Sequence, residues 1–260
     1  MAVALIGGLR KQGFSAAGIQ VVEPSESARD RLADTFGVRC SATVDAASLS
    51  CEVIVLAVKP QHLHDAVKPL SGKLKEQLVI SIAAGLRMAD ISRWLGGYTQ
   101  LVRTMPNTPA LIGAGITGLC AHASVDEEAR RDAERILSAV GRTLWIAEEA
   151  QMDAVTAVSG SGPAYVFYFI EALEAAALNL GVNPVAARQM TIDTFLGAAR
   201  LAEQSSESIR TLREQVTSKG GTTEAALRSF GSDKVAGAIE DGVIAAYKRG
   251  QELGEQLGKD

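Results

Sequence analysis

The sequence predicts an α/β fold: a doubly wound parallel sheet lacking its first strand, followed by an all-helical C-terminal region. Three observations carry this reading. Short apolar, β-branched runs alternate with helical patterns up to residue 147, the pattern of strand–helix–strand units and hence of a Rossmann-like sheet. Beyond that point no run reads as a strand. The segment from Pro163 to Leu180 is apolar almost all round, with Glu171 and Glu174 its only charges; such a helix must be buried on most faces. The expected domains are 1–147, built on the sheet, and 148–260, all-helical.

The elements follow in order. Met1 to Gly13 reads as a helix stopped by glycine. Gly18 to Val22 is a short strand. Ser25 caps the next helix, which Gly37 ends. Val53 to Val58 is a continuous apolar run, as expected of a parallel strand covered on both faces. Gln61 to Leu70 is helical, Leu78 to Ile82 a buried strand, and Met88 to Leu95 a short helix. Leu101 to Arg103 is a strand that stops at Pro-Asn-Thr-Pro, and Ile116 to Ala121 another. Ser124-Val-Asp-Glu127 has the spacing of a capping box for a helix that Gly141 ends. Leu144 to Ala147 is the last strand. Helices follow over 151–158, from Pro163 to Gly181, from Asn183 to about Gln204, and from Glu207 to Val216. Ser232 caps a final one.

Composition narrows the function. The 260 residues are 47% hydrophobic with a net charge of −4, which supports sizeable cores and gives no electrostatic reason to expect nucleic acid or an anionic membrane as partner. No apolar run is long enough to span a bilayer, and no signal peptide is visible. Cys40, Cys51 and Cys120 form no Cys-x-x-Cys pair, so neither a disulfide framework nor a zinc site is expected, and a reducing cytoplasm is. His62 and His64 would face apart on a helix. No metal site is expected.

The richest stretch is Glu214 to Leu227. The glycines Gly220 and Gly221 break a helical pattern, and Thr222-Thr223-Glu224 restarts it. A helix start leaves backbone N–H groups unpartnered and carries positive dipole, a seat for a small carboxylate. The plain alternative is a capped helix corner. Val216-Thr-Ser-Lys-Gly-Gly-Thr-Thr-Glu-Ala-Ala-Leu227 resembles the signature loop of the pyrroline-5-carboxylate reductase family. Ala57-Val58-Lys59-Pro60, Arg103-Thr-Met-Pro-Asn-Thr-Pro109 and Ser159-Gly-Ser-Gly-Pro-Ala-Tyr165 agree in order and spacing, and the likeness runs from Met1 to about Gln256.

The resemblance implies reduction of 1-pyrroline-5-carboxylate to proline, the last step of proline synthesis. NADPH is the expected reductant, with NADH possible, and a homodimer or larger ring the expected assembly. It places the substrate carboxylate on the amides of Gly221, Thr222 and Thr223 and the hydroxyl of Ser218. Thr223 is the expected hydrogen-bond partner of the ring nitrogen. Ala57, Val58, Lys59 and Pro60, then Ala83 and Ala84, and then Asn107 are expected beside the cofactor, at the carboxyl ends of strands where open α/β sheets bind ligands. Lys59 has a solvated reading too, and Asn107 the alternative of bonding its own loop. Glu23, after the second strand, suits the adenosine ribose and disfavours a 2′-phosphate; Ser25 suits a phosphate or is only a cap. Val44 stands where family members carry a polar residue. Ser159-Gly-Ser-Gly-Pro163 is no phosphate loop, since no strand precedes it and it lacks the lysine.

A dinucleotide fold opens with a strand and a Gly-x-Gly-x-x-Gly turn, whereas this chain opens inside the helix that should follow. Gly7 and Gly8 are not substitutes. Two expectations compete: roughly ten or more further residues upstream, enough for one strand and its turn, or a chain that binds cofactor poorly. The rival readings are accordingly a catalytically silent or cofactor-deficient oligomer, and a related imine or 3-hydroxyacid reductase.

Overall fold

The structure, a computed structural model, describes residues 1–259. The chain divides into two compact units. One is Met1–Ser161 with the chain from Ala246 on, the other Gly162–Ala245.

The first unit begins with α1 (Ala2–Lys11), β1 (Gln20–Val22), α2 (Glu26–Phe36) and β2 (Arg39–Ser41). Gly37 stops α2 at φ 67°, the left-handed turn that glycine adopts without steric cost. Strand β2 has no apolar run to betray it. Then follow β3 (Val53–Leu56), α3 (Pro60–Val67), β4 (Leu78–Ser81), α4 (Met88–Trp94), β5 (Leu101–Pro106), β6 (Gly115–Ala121), α5 (Glu127–Leu137), β7 (Gly141–Trp145) and α6 (Met152–Val155). The cap of α5 is Asp126, whose carboxylate accepts from Ala129 N at 2.8 Å. The expected cap, Ser124, instead donates to Thr99 O at 2.9 Å and meets the His122 ring. It closes the loop before the helix.

Strands β3-β4-β5-β6-β7 form one sheet. The parallel pairing expected throughout holds for β3–β4, β4–β5 and β6–β7, but β6 runs antiparallel to β5, with Arg103 opposite Cys120. Only a short 3₁₀ turn, Thr108–Ile112, connects them. A link this short returns the chain antiparallel, because a parallel crossover needs a dozen residues or more. The sheet is covered on both faces. Val79 packs with Leu63, Leu86 and Ile91 on one side, while Leu78 and Ile80 pack with Leu5, Leu9 and Leu137 on the other, as the two-residue period of a strand dictates.

Strands β1 and β2 pair only with each other. Between β1 and β3 lies a cleft of about 1700 Å³ lined by every residue of both strands. The sheet is therefore in two pieces, at the place where a doubly wound fold holds its central strand.

The second unit contains α7 (Gly162–Asn179), α8 (Pro184–Gln204), α9 (Ile209–Gln215), α10 (Thr222–Ser232) and the first part of α11 (Val235–Leu257). Asn183 caps α8 through Ala186 N at 3.0 Å. Ser232 does not cap α11. It ends α10 and donates to Arg228 O at 3.1 Å. Only Ala187 and Thr191 are buried in this unit, while Phe167 and Tyr168 are 65% and 69% exposed. Much of the apolar surface of α7, including Val166, Phe167, Tyr168 and Leu173, is thus not covered within the chain.

Candidate functional site

Three of the expected cofactor segments sit on one edge of the sheet. Ala57-Val58-Lys59-Pro60 follows β3, Ala83-Ala84 follows β4, and Asn107 follows β5. These three strands are adjacent and parallel, so their carboxyl ends are side by side, the edge at which open α/β sheets take ligands. Lys59 is exposed and extended, immediately before α3, with Pro60 at the first helical position. Proline suits that position because its missing N–H would be unpartnered anyway.

The turn after β4 is held from beneath. Ser81 and Thr104 are buried. Thr104 Oγ1 donates to Ser81 O at 3.0 Å, and the Ser81 hydroxyl accepts from Ala83 N at 3.3 Å. Ala83 is buried and Ala84 half-buried, so backbone and methyls are what the turn presents. Asn107 is committed to the fold. Its Oδ1 accepts from Ile116 N at 3.0 Å and its Nδ2 donates to Ser159 O at 3.1 Å.

Glu23 and Ser25 follow β1. The Glu23 carboxylate accepts from Ser25 N at 2.9 Å. Arg29 donates to the carbonyls of Glu23 and Pro24 at 2.9 and 2.7 Å. Ser25 stands at the N-cap of α2, but its hydroxyl meets Ser27 at 3.3 Å and makes no cap bond. Val44 lines the cleft beside β1.

The structure adds residues that the sequence reading passed over. Pro60, Gln61, Ala84 and Gly85 share a cavity of about 230 Å³ with Asp153, Thr156, Gly250, Leu253 and Leu257. Arg103, 4% exposed, spans from Glu149 at 3.1 Å to Asp153 at 3.3 Å, and Glu149 also accepts from Met88 N at 2.7 Å. One carboxylate thereby neutralises a buried guanidinium and satisfies the start of α4. A Cβ on Gly254 would stand 2.7 Å from Gly85 O. The readable signal was Gly250 and Gly254, one helical turn apart on α11.

The signature loop lies in the second unit. Gly220 turns the chain at φ 75° and Gly221 is the N-cap of α10. A side chain on Gly221 would strike the Ser218 hydroxyl and press on the Ser218 carbonyl, so glycine leaves that hydroxyl its place. Two of the amides are used internally. Gly221 N donates to Ser218 O at 3.0 Å, and Gly220 N to Glu224 Oε2 at 2.7 Å. Thr222 and Thr223 occupy the first turn of α10, where backbone N–H groups point forward without intrahelical partners. Arg228 stands 3.7 Å from Glu224 and offsets its charge. The loop offers an acceptor-hungry helix start with three hydroxyls.

The pyrophosphate side differs. A Gly-x-Gly-x-x-Gly spacing occurs at Gly113, Gly115 and Gly118, but it opens strand β6 and no helix. Two of its glycines serve packing: a Cβ on Gly118 would lie 2.7 Å from Val155 Cγ1, and one on Gly115 2.9 Å from Ala110 N, while Gly113 turns the chain at φ 74°. The strand ends thus present backbone and small side chains, and among the described residues no Gly-x-Gly-x-x-Gly turn joins a strand to a helix. Burial pushes the Cys120 thiol up, which makes it a core residue rather than a nucleophile. No cluster of metal-ligating side chains occurs among the described residues.

Residues 149–253 match the family described as pyrroline-5-carboxylate reductase dimerisation, and residues 1–85 that described as NADP oxidoreductase coenzyme F420-dependent. A pyrroline-5-carboxylate reductase of Pseudomonas aeruginosa is 45% identical over 100% of this chain and 95% of its own. The Haemophilus influenzae enzyme is 41% identical over 97% and 94%. The chain belongs to the pyrroline-5-carboxylate reductase family. Solved structures of reductases from Coxiella burnetii (38% identity, TM-score 0.89) and, with NADP bound, Plasmodium falciparum (26%, 0.86) each cover 97% of this chain and 94% of their own. Membership of this reductase family agrees with the α/β sheet and the C-terminal helices. No described helix is long and apolar enough to cross a membrane.

Proposed function

We propose that the chain reduces the cyclic imine of 1-pyrroline-5-carboxylate to L-proline, the last step of proline biosynthesis, with NADPH preferred over NADH. The observation that carries this is the Val216–Leu227 loop, whose Gly220–Gly221 corner delivers the first turn of α10 with Thr222 and Thr223 at its tip. In this reading the Thr222 and Thr223 amides and the Ser218 hydroxyl hold the substrate carboxylate. Gly221 contributes by its lack of a side chain, its amide being already engaged. The Thr223 hydroxyl bonds the ring nitrogen and fixes the face of the imine. A threonine hydroxyl is too weak an acid to be the proton source, so it orients the imine or relays a proton. The bound cofactor supplies hydride, and the chain supplies position and field. Ala57–Pro60 and Ala83–Ala84 give it a flat bed of backbone and methyl groups at the strand ends. Asn107 shapes that edge from within.

The reading includes a homo-oligomer assembled through residues 148–260, supported by the uncovered apolar surface of α7. The functional division is a dinucleotide-binding part up to residue 147 and a substrate part after it. Following NADPH oxidation with pyrroline-5-carboxylate as substrate tests the activity; turnover of a hydroxyacid but not of the imine would transfer the chain to another reductase class.

A further inference from the structure

The turn after β4 has a second hold besides the Thr104–Ser81 hydrogen bonds. It comes from the C-terminal part of α11, from Ala246 on, which belongs to the same compact unit. Gly85 turns the chain at φ 81°. A Cβ there would stand 3.7 Å from Gly254 N and 3.8 Å from Leu253 Cβ and Leu257 Cδ1. In return, a Cβ on Gly254 would stand 2.7 Å from Gly85 O. Two stretches of backbone thus meet with no side chain between them. The end of α11 is tied down separately. Arg93 of α4 donates to Gly258 O at 2.6 Å and to Asp90 Oδ1 at 3.0 Å. The last turn of α11 has no basic residue of its own, and Arg93 brings a cation to its negative end. Leu257 packs against the core that holds Leu86 and Ile91. Leu253 and Leu257 line the same cavity as Pro60, Gln61 and Ala84. A glycine and two leucines supply no proton and no charge. What they can do is fix where the Ala83–Ala84 backbone stands.

We propose that Gly254 is a positioning residue for the cofactor, with Arg93 holding the helix end that carries it. Seating α11 on the Gly85 carbonyl sets the height of the Ala83–Ala84 turn at the strand edge, and with it the bed on which the nicotinamide lies. This rests on the cofactor placement proposed above. A bed of backbone and methyl groups acts through position alone, so a shift of about 1 Å in the turn is felt in binding. A methyl on Gly254 must move the helix or the turn, because the atom it meets is main chain.

The test compares Gly254→Ala, Arg93→Met and Arg93→Lys with Gly242→Ala, which adds a methyl to the same helix where nothing lies within 4 Å. The readouts are dissociation constants for NADPH and NADH, the KM of each reactant, and amide hydrogen exchange of the ligand-free chain. Gly254→Ala and Arg93→Met are expected to exchange faster over Ala83–Leu86. Both should bind cofactor about tenfold more weakly and raise its KM alike, with the KM for pyrroline-5-carboxylate unchanged. Arg93→Lys keeps a cationic donor for Gly258 O and should recover most of the affinity. Gly242→Ala should match the wild type. Wild-type cofactor affinity in either Gly254→Ala or Arg93→Met would overturn the proposal, and Arg93→Met decides alone if Gly254→Ala does not fold. Equal losses for cofactor and imine would also overturn it, by showing a general loosening. So would weakened binding with unaltered exchange at the turn, or a wild-type chain that binds neither cofactor. Absence of imine turnover by a wild-type chain that binds NADPH would count against the proposed activity instead. The affinity and exchange readouts do not depend on turnover and still decide the role of Gly254.

Discussion

The two units handle apolar surface in opposite ways. The first buries Leu63, Ile80, Leu86, Ile91, Leu101, Leu119 and Leu137 almost completely, on both faces of a sheet. The second buries only Ala187 and Thr191, and leaves Leu180 85% exposed. Its sequence is no less apolar: α7 is Gly-Pro-Ala-Tyr-Val-Phe-Tyr-Phe-Ile with few charges after it. The difference lies in layering. A sheet with helices on both faces closes its own core, whereas paired helices need a further layer. Apolar content therefore says how much surface must be covered but not by which chain.

The largest effect expected from this contrast is on the second unit. Replacing Phe167 and Tyr168 together by Glu should break the oligomer into monomers by sedimentation and lower the melting temperature, at a cost of about 2 kcal/mol or more per buried aromatic anchor. An unchanged assembly would mean that other faces of α7 carry it. In the first unit the sensitive point is internal. Gly141→Ala places a Cβ against the Gly115 carbonyl at a φ of 146°. Urea unfolding should show a loss of about 3 kcal/mol, with no dependence on protein concentration. A concentration-dependent loss would erase the distinction between the units.

The signature loop belongs to the less buried unit, yet its effect should be chemical. Thr223→Ala should lower kcat about 10- to 100-fold, as expected when a proton-handling contact is removed, with an unchanged circular dichroism spectrum. Unaltered steady-state kinetics would remove Thr223 from the mechanism. The smallest effect is Gly197→Ala in α8, where a new Cβ meets nothing within 4 Å. In the monomeric background it should stabilise by about 0.5–1 kcal/mol through helix propensity. A loss there would mean that α7 and α8 pack more tightly in solution than their exposure implies.

Much of the candidate site was legible because strands announce themselves locally. The runs at Val53 and Leu78 put Ala57–Pro60 and Ala83–Ala84 at strand ends without any three-dimensional information. The glycine pair at Gly220 and Gly221 likewise marked the start of α10. Side-chain commitments were not legible. Asn107 spends its amide on Ile116 and Ser159, 9 and 52 residues away. Gly221 spends its N–H on Ser218, and Ser124 closes a loop that Asp126 caps.

Local patterning settles which segments are strands or helices, because period and propensity act over a few neighbours. It settled the alternation up to β7 except for β2, the helices after it, and the Gly220–Gly221 break before α10. Tertiary structure decided the reversed direction of β6 and the burial of Arg103 between Glu149 and Asp153. Each of these depends on which distant groups meet, and a buried charge or an open strand edge acquires its free energy only from the partner brought to it.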